Sequence, residues 1–156
     1  MKKIGIIRCG RYEQCSGSGC FAGVNDLSGP MAQYNNDGGV QVVGYTTCGG
    51  CPGANMEKAP IALQKAGAEV IHLATCFLCG VPPCIHLRDF MRLITTLTGL
   101  PVVVGTHSFP KTYYELHEKL GDWKEMKLLD LAQPLFPQDK ATSLSRSKTK
   151  KACCGG

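Results

Sequence analysis

Four short runs rich in Val and Ile show no helical spacing: "KIGIIR" (Lys3 to Arg8), "VQVVGYT" (Val40 to Thr46), "EVIHLAT" (Glu69 to Thr75) and "LPVVVGT" (Leu100 to Thr106). Their apolar positions are nearly continuous, the pattern of strands covered on both faces. Between them the pattern turns helical. "ANMEKAPIALQKAG" is alanine-rich and stops at Gly67, while Pro60 inside it predicts a kink or a late start. From about Pro83 to Thr98, Cys84, Leu87, Met91, Ile94 and Thr98 recur three or four apart, with Arg88 and Arg92 facing away and Gly99 as the stop. After His107, "KTYYELHEKLGDWKEMKLLDLAQPLF" predicts one or two further helices with Trp123 as a core anchor. Gly10 to Gly39 is rich in Gly, Ser and Asn and reads as a long loop with a short helix. Strands alternating with helices predict an α/β fold. It should be a small open, mostly parallel sheet of about four strands with flanking helices, three-layered in the flavodoxin or Rossmann manner.

Length and composition set the limits of that fold. With 156 residues, 44% of them hydrophobic, the chain has material for one cored unit, expected over residues 1–137. The formal charge of +5 hints at nucleic acid, but it is unevenly placed. Between Gln138 and Gly156, Lys140, Arg146, Lys148, Lys150 and Lys151 stand against Asp139 alone, so 138–156 reads as a basic polar tail and the body as nearly neutral. That argues against a nucleic-acid partner. "MKKIGIIRCGRY" lacks a signal-peptide core, and no run approaches the roughly 18 apolar residues of a membrane span, so a cytoplasmic protein is expected.

Cysteine changes the picture most: there are ten, above ordinary usage but below the density of a disulfide-stapled scaffold. In a reducing compartment such thiols serve metals or redox chemistry more often than structural disulfides. Cys9 follows the first strand, Cys48 the second, Cys76 the third and His107 the fourth. In an open parallel sheet the carboxyl ends of the strands share one edge, where ligand sites form, so these residues should converge. Cys15 and Cys20 occupy the loop after the first strand, Cys51 that after the second, and Cys79 and Cys84 that after the third. A lone cysteine is most often a small buried hydrophobe; eight gathered in strand-end loops point to a shared site.

Cys48-Gly-Gly-Cys51 and Cys76-Phe-Leu-Cys79 both have C-x-x-C spacing, which grips one metal ion or two corners of an iron–sulfur cube. The glycines let backbone N–H groups turn toward the sulfurs, and a helix expected to begin near Pro52 would aim its positive end at them; both favour thiolate. His107 stands where a ligand or proton donor belongs. His86 reads as a helix histidine, and His72 and His117 as structural.

"RC" after the first strand, "VGYTTCGGCPG" after the second, "ATC" and then "PPCIH" after the third, and "VVGTH" after the fourth resemble the CGGC domain family over roughly residues 1 to 108. The resemblance implies metal binding and carries over Cys9, Cys48, Cys51, Cys76, Cys84 and His107. It implies no reaction, and Cys79, Cys153 and Cys154 stand outside its pattern. The cysteine count favours one or two iron–sulfur clusters, 4Fe–4S first, for redox or electron-transfer chemistry, with Cys9, Cys48, Cys51, Cys76, Cys79 and Cys84 as leading ligands. A zinc or copper binding or delivery module is the alternative, and a metal-free C-x-x-C dithiol the third reading. For "KKACCGG" the choice is between a solvated end and a cap that returns Cys153 or Cys154 to the rim. No phosphate loop, catalytic carboxylate pair or C-x5-R motif appears, so neither substrate nor redox partner is indicated.

Overall fold

Ile4, Ile6 and Ile7 are fully buried, and a strand covered this way on both faces belongs inside a sheet. In the computed structural model, which describes residues 1–137, β1 (Lys2–Arg8) lies between β2 (Val40–Thr47) and β3 (Val70–Leu73), with β4 (Val102–Val104) beyond β3. All three pairings are parallel, so the expected sheet is present and wholly parallel.

Side-chain alternation sorts the two faces. Gly5 stands opposite Gly44, and a Cβ on either would come within 2.9 or 2.4 Å of Leu63. The glycine pair thus makes the groove in which α2 (Ala59–Lys65) rests, with α4 (Leu87–Thr98) packed beside it. On the other face Ile6 and His72 are in register, and Tyr34, from a 3₁₀ segment over Gly29–Asp37, covers them.

Several elements differ from expectation for local reasons. Pro60 sits in the first turn of α2, where its missing N–H is harmless, so the helix starts late instead of kinking. Residues 51–58 are turns, and no helix dipole begins at Pro52. α4 begins at Leu87, which leaves Cys84 in the preceding loop, and ends at Gly99 as expected. Gly10 to Gly39 is more ordered than its composition suggests: α1 (Ser18–Asp26) and two 3₁₀ segments, Gly10–Tyr12 and Gly29–Asp37, occupy most of it. Cys76 and Cys79 belong to a single helical turn, α3 (Cys76–Cys79). After β4 come α5 (Lys111–Leu120), α6 (Asp122–Glu125) and α7 (Leu129–Ala132).

One irregularity positions the site. The β1–β2 register passes from Ile4↔Val42 to Gly5↔Gly44, so β2 carries one extra residue, Val43. The bulge sets Thr47 opposite Arg8, and Cys9 and Cys48 leave the sheet side by side. The Cys48 N–H still donates to the Arg8 carbonyl at 2.9 Å.

Buried His72 yields a pH prediction. Its Nδ1–H donates to the Gly105 carbonyl and its Nε2 accepts from the Tyr34 hydroxyl, each at 2.8 Å, so the ring is neutral. Burial pulls its pKa down from 6.5 to about 4, although the Gly105 carbonyl opposes the shift. Above the unfolded value neither state binds the proton; as pH falls toward 4 only the unfolded chain does. Stability should therefore drop by roughly 3 kcal/mol across that window. Urea unfolding at pH 7 and pH 4.5 should show a smaller pH-dependent loss in His72→Gln; equal losses would exclude His72 as the source.

No helix among the described residues is long and apolar enough to cross a membrane. The tail from 138 onward, with Cys153 and Cys154, lies outside the described residues.

Candidate metal centre

The strand order β2-β1-β3-β4 reverses direction between β1 and β3, and the crevice at the carboxyl ends of such a pair is where open α/β sheets bind ligands. Cys9 leaves β1 at that point in extended conformation. Its N–H donates to the Cys76 Sγ at 3.2 Å, and the next N–H, of Gly10, donates to the Cys48 Sγ at 3.2 Å. A Cβ at Gly10 would lie 2.4 Å from the Gly50 nitrogen, so only glycine lets the two turns approach this closely. Gly49 and Gly50 have φ of 82° and 86°, which accounts for both glycines of the motif. Asn55 fastens the loop: its N–H donates to the Cys48 carbonyl at 2.9 Å and its Nδ2 to the Thr47 carbonyl at 2.8 Å.

Cys9, Cys48, Cys51 and Cys84 line one cavity of about 150 Å³. Among the described residues, Arg11 is its one charged lining residue, and Phe77, Pro82, Pro83, Ile85 and Phe90 also line it. The Arg11 guanidinium is fixed by a 2.9 Å bond to the Pro82 carbonyl. Within this wall the thiols are unequal. Cys48 is lowered to about 6, first by the hydrogen bond from the Cys9 thiol, then by the N–H groups of Gly10 and Gly50, against the cost of burial. Cys9 is raised for the reciprocal reason and by burial. The hydrogen bond thus favours the charged form of Cys48 and the neutral form of Cys9. Cys84 is raised by burial, with Arg11 acting in the opposite sense. Of the two sources expected to favour thiolate at Cys48, the backbone N–H groups are present and the helix dipole is not; the Cys9 thiol adds to them.

The other predicted residues lie apart from this cavity. Cys76 sits behind Cys9 and is pushed up to about 12 by burial, with Cys20 and Cys15 near enough to add to the shift. Cys20, on α1, contacts the Thr106 hydroxyl at 3.1 Å, and Cys15 accepts from the Gly17 N–H at 3.4 Å. Cys79 is buried in α3, and its carbonyl is held by His117. His107 does not line the cavity: its Nδ1–H donates to the Ser108 carbonyl at 2.8 Å and its backbone N–H to the Thr75 hydroxyl at 3.0 Å. Among the described residues, no three His, Cys, Asp or Glu side chains are gathered closely enough to hold a single metal ion. Sequence reasoning missed Arg11, although its position two residues past Cys9, at the same strand end, was a usable signal.

The profile of the CGGC domain family matches residues 3–107. An uncharacterized protein of Methanocaldococcus jannaschii is 34% identical over 117 residues, covering 70% of this chain and 89% of that protein. A second uncharacterized protein of the same organism is 37% identical over 62 residues, covering 39% of this chain and 92% of its own length. No solved structure shows a significant match. The family match begins in β1 and ends at His107, spanning every residue of the cavity wall, and the chain belongs to the CGGC domain family.

Proposed function

We propose that the rim binds metal through cysteine, and that its ligand set is Cys9, Cys48, Cys51 and Cys84 around a single iron–sulfur cluster of the 4Fe–4S type. One observation carries this reading: four thiols from three strand-end loops line one cavity with apolar walls. Sulfurs around one tetrahedral zinc ion stand about 3.8 Å apart by simple geometry. Zinc–thiolate sites are more often compact knuckles within one small module, whereas these four thiols come from three separate strand-end loops, which favours a cluster. When bound, such a cluster supplies one-electron transfer. The chain's own contributions are a thiolate at Cys48, N–H donors from Gly10 and Gly50 to its sulfur, and Arg11 as a counter-charge. Phe77, Pro82, Pro83, Ile85 and Phe90 give the sulfurs an apolar surround.

Exposed Cys51, three residues from buried Cys48, favours a second reading, a metal-free dithiol exchanging electrons through this pair. Protein purified without oxygen separates the readings. Near-equal iron and acid-labile sulfide, with brown colour, is the expected result. Stoichiometric zinc or copper without sulfide would replace the cluster with a binding or delivery module, and metal-free protein would leave the dithiol.

A further inference from the structure

We propose that Cys9 and Cys48 form a reversible disulfide when the metal-free protein meets a hydroperoxide, so that the redox partner of Cys48 is Cys9 rather than Cys51 of its own motif. The bulge at Val43 carries the inference. It brings Arg8 opposite Thr47, so the next residues, Cys9 and Cys48, are neighbours across a parallel pair, where facing side chains project to the same side. Adjacent strands run about 4.8 Å apart, inside the 4.4–6.8 Å Cα separation that disulfides span. Cys9 keeps extended geometry at φ −68°, ψ 127°, and the Cys48 N–H bonds to the Arg8 carbonyl at 2.9 Å, so the pairing persists to the rim. The Cys9 thiol already donates a hydrogen bond to the Cys48 sulfur. Cys51 follows two left-handed glycines and stands at the exposed edge of the cavity, whereas Cys9 and Cys48 are 4% and 3% exposed and meet in its wall.

The chemistry balances with hydrogen peroxide as the oxidant, which is small enough to enter the cavity. The Cys48 sulfur attacks one peroxide oxygen, the O–O bond breaks, and Cys48 sulfenic acid and water form. The Cys9 sulfur then attacks the sulfenic sulfur, its proton leaves with the hydroxyl as a second water, and the S–S bond closes. Two thiols are oxidised and one peroxide is reduced to two waters.

The disulfide itself is independent of the metal reading; only its consequence rests on that reading, since closing the pair withdraws two of the four cavity thiols. Metal-free, fully reduced protein is treated with one equivalent of hydrogen peroxide, quenched with iodoacetamide and mapped by non-reducing peptide mass spectrometry. The Cys9–Cys48 peptide should dominate, and dithiothreitol should restore both thiols. Cys51→Ser should form it equally, while Cys9→Ser should leave Cys48 as a sulfenic acid trapped by dimedone. A dominant Cys48–Cys51 peptide, or loss of the disulfide in Cys51→Ser, would overturn the proposal. Cys51→Ser keeps the test valid even if Cys9→Ser fails to fold. If the disulfide forms but oxidised and reduced protein load iron and sulfide alike, the proposal stands and the metal reading fails.

Discussion

Trp123→Ala should cost about 3–5 kcal/mol of folding stability in urea unfolding, the largest loss expected outside the sheet. Trp123 is 3% exposed and stacks between Phe109 and His117, with ring centroids 4.5 Å away on each side. Its Nε1–H donates to the Leu78 carbonyl at 2.9 Å, and His117 Nε2 donates to the Cys79 carbonyl at 2.9 Å. α3 is a single turn, so its last carbonyls have no partner within the helix, and these two side chains satisfy them. Truncation therefore leaves both a cavity and an orphaned buried acceptor. Trp123→Phe, which keeps the stack and loses the hydrogen bond, should lose only about 1–3 kcal/mol. A loss below about 1 kcal/mol in the alanine variant would contradict this packing account. α5 and α6 lie beyond the family match, which ends at residue 107, and they buttress the turn that carries Cys76 and Cys79.

Cys48→Ser should remove bound metal almost completely while leaving the fold intact. Serine nearly matches the side chain in size and still accepts the Gly10 N–H, so the sheet has little reason to unfold. Its hydroxyl is a poor ligand for soft metals, however, and it replaces a thiol whose charged form the Cys9 hydrogen bond and the Gly10 and Gly50 N–H groups favour. The loss in metal affinity should exceed the roughly 10- to 100-fold that follows from changing an outer supporting partner. Metal content by elemental analysis and the thermal unfolding midpoint, measured on one preparation, check both halves. Cys15→Ser, on a residue outside the cavity, is the control and should keep its metal.

The strands and the placement of cysteines at their ends were legible because continuous apolar runs and strand-end positions are local signals. The bulge at Val43 was not, since "VQVVGYT" reads as one unbroken strand and only pairing with β1 shows the extra residue. Convergence on one edge was anticipated, yet the division among the thiols was not: Cys84 joins Cys9 and Cys48 across the cavity while Cys76, nearer in the fold to Cys9, points behind it. Spacing within a motif says nothing about which side of a turn each sulfur takes. The helix expected near Pro52 starts at Ala59 because the residues that begin with "CPG" form turns until then. A place within a helix marks His117 as structural, but its partners, 38 residues away at Cys79 and five away at Asp122, appear only in the fold.

In the proposed function Cys9, Cys48, Cys51 and Cys84 together hold one iron–sulfur cluster. X-ray absorption at the iron edge of protein purified without oxygen tests it most directly. The expected result is a first shell of sulfur alone with a short iron–iron distance, both lost when any of the four cysteines is changed to serine. A first shell of nitrogen or oxygen, or an all-sulfur shell that survives in Cys48→Ser and Cys84→Ser, would contradict it.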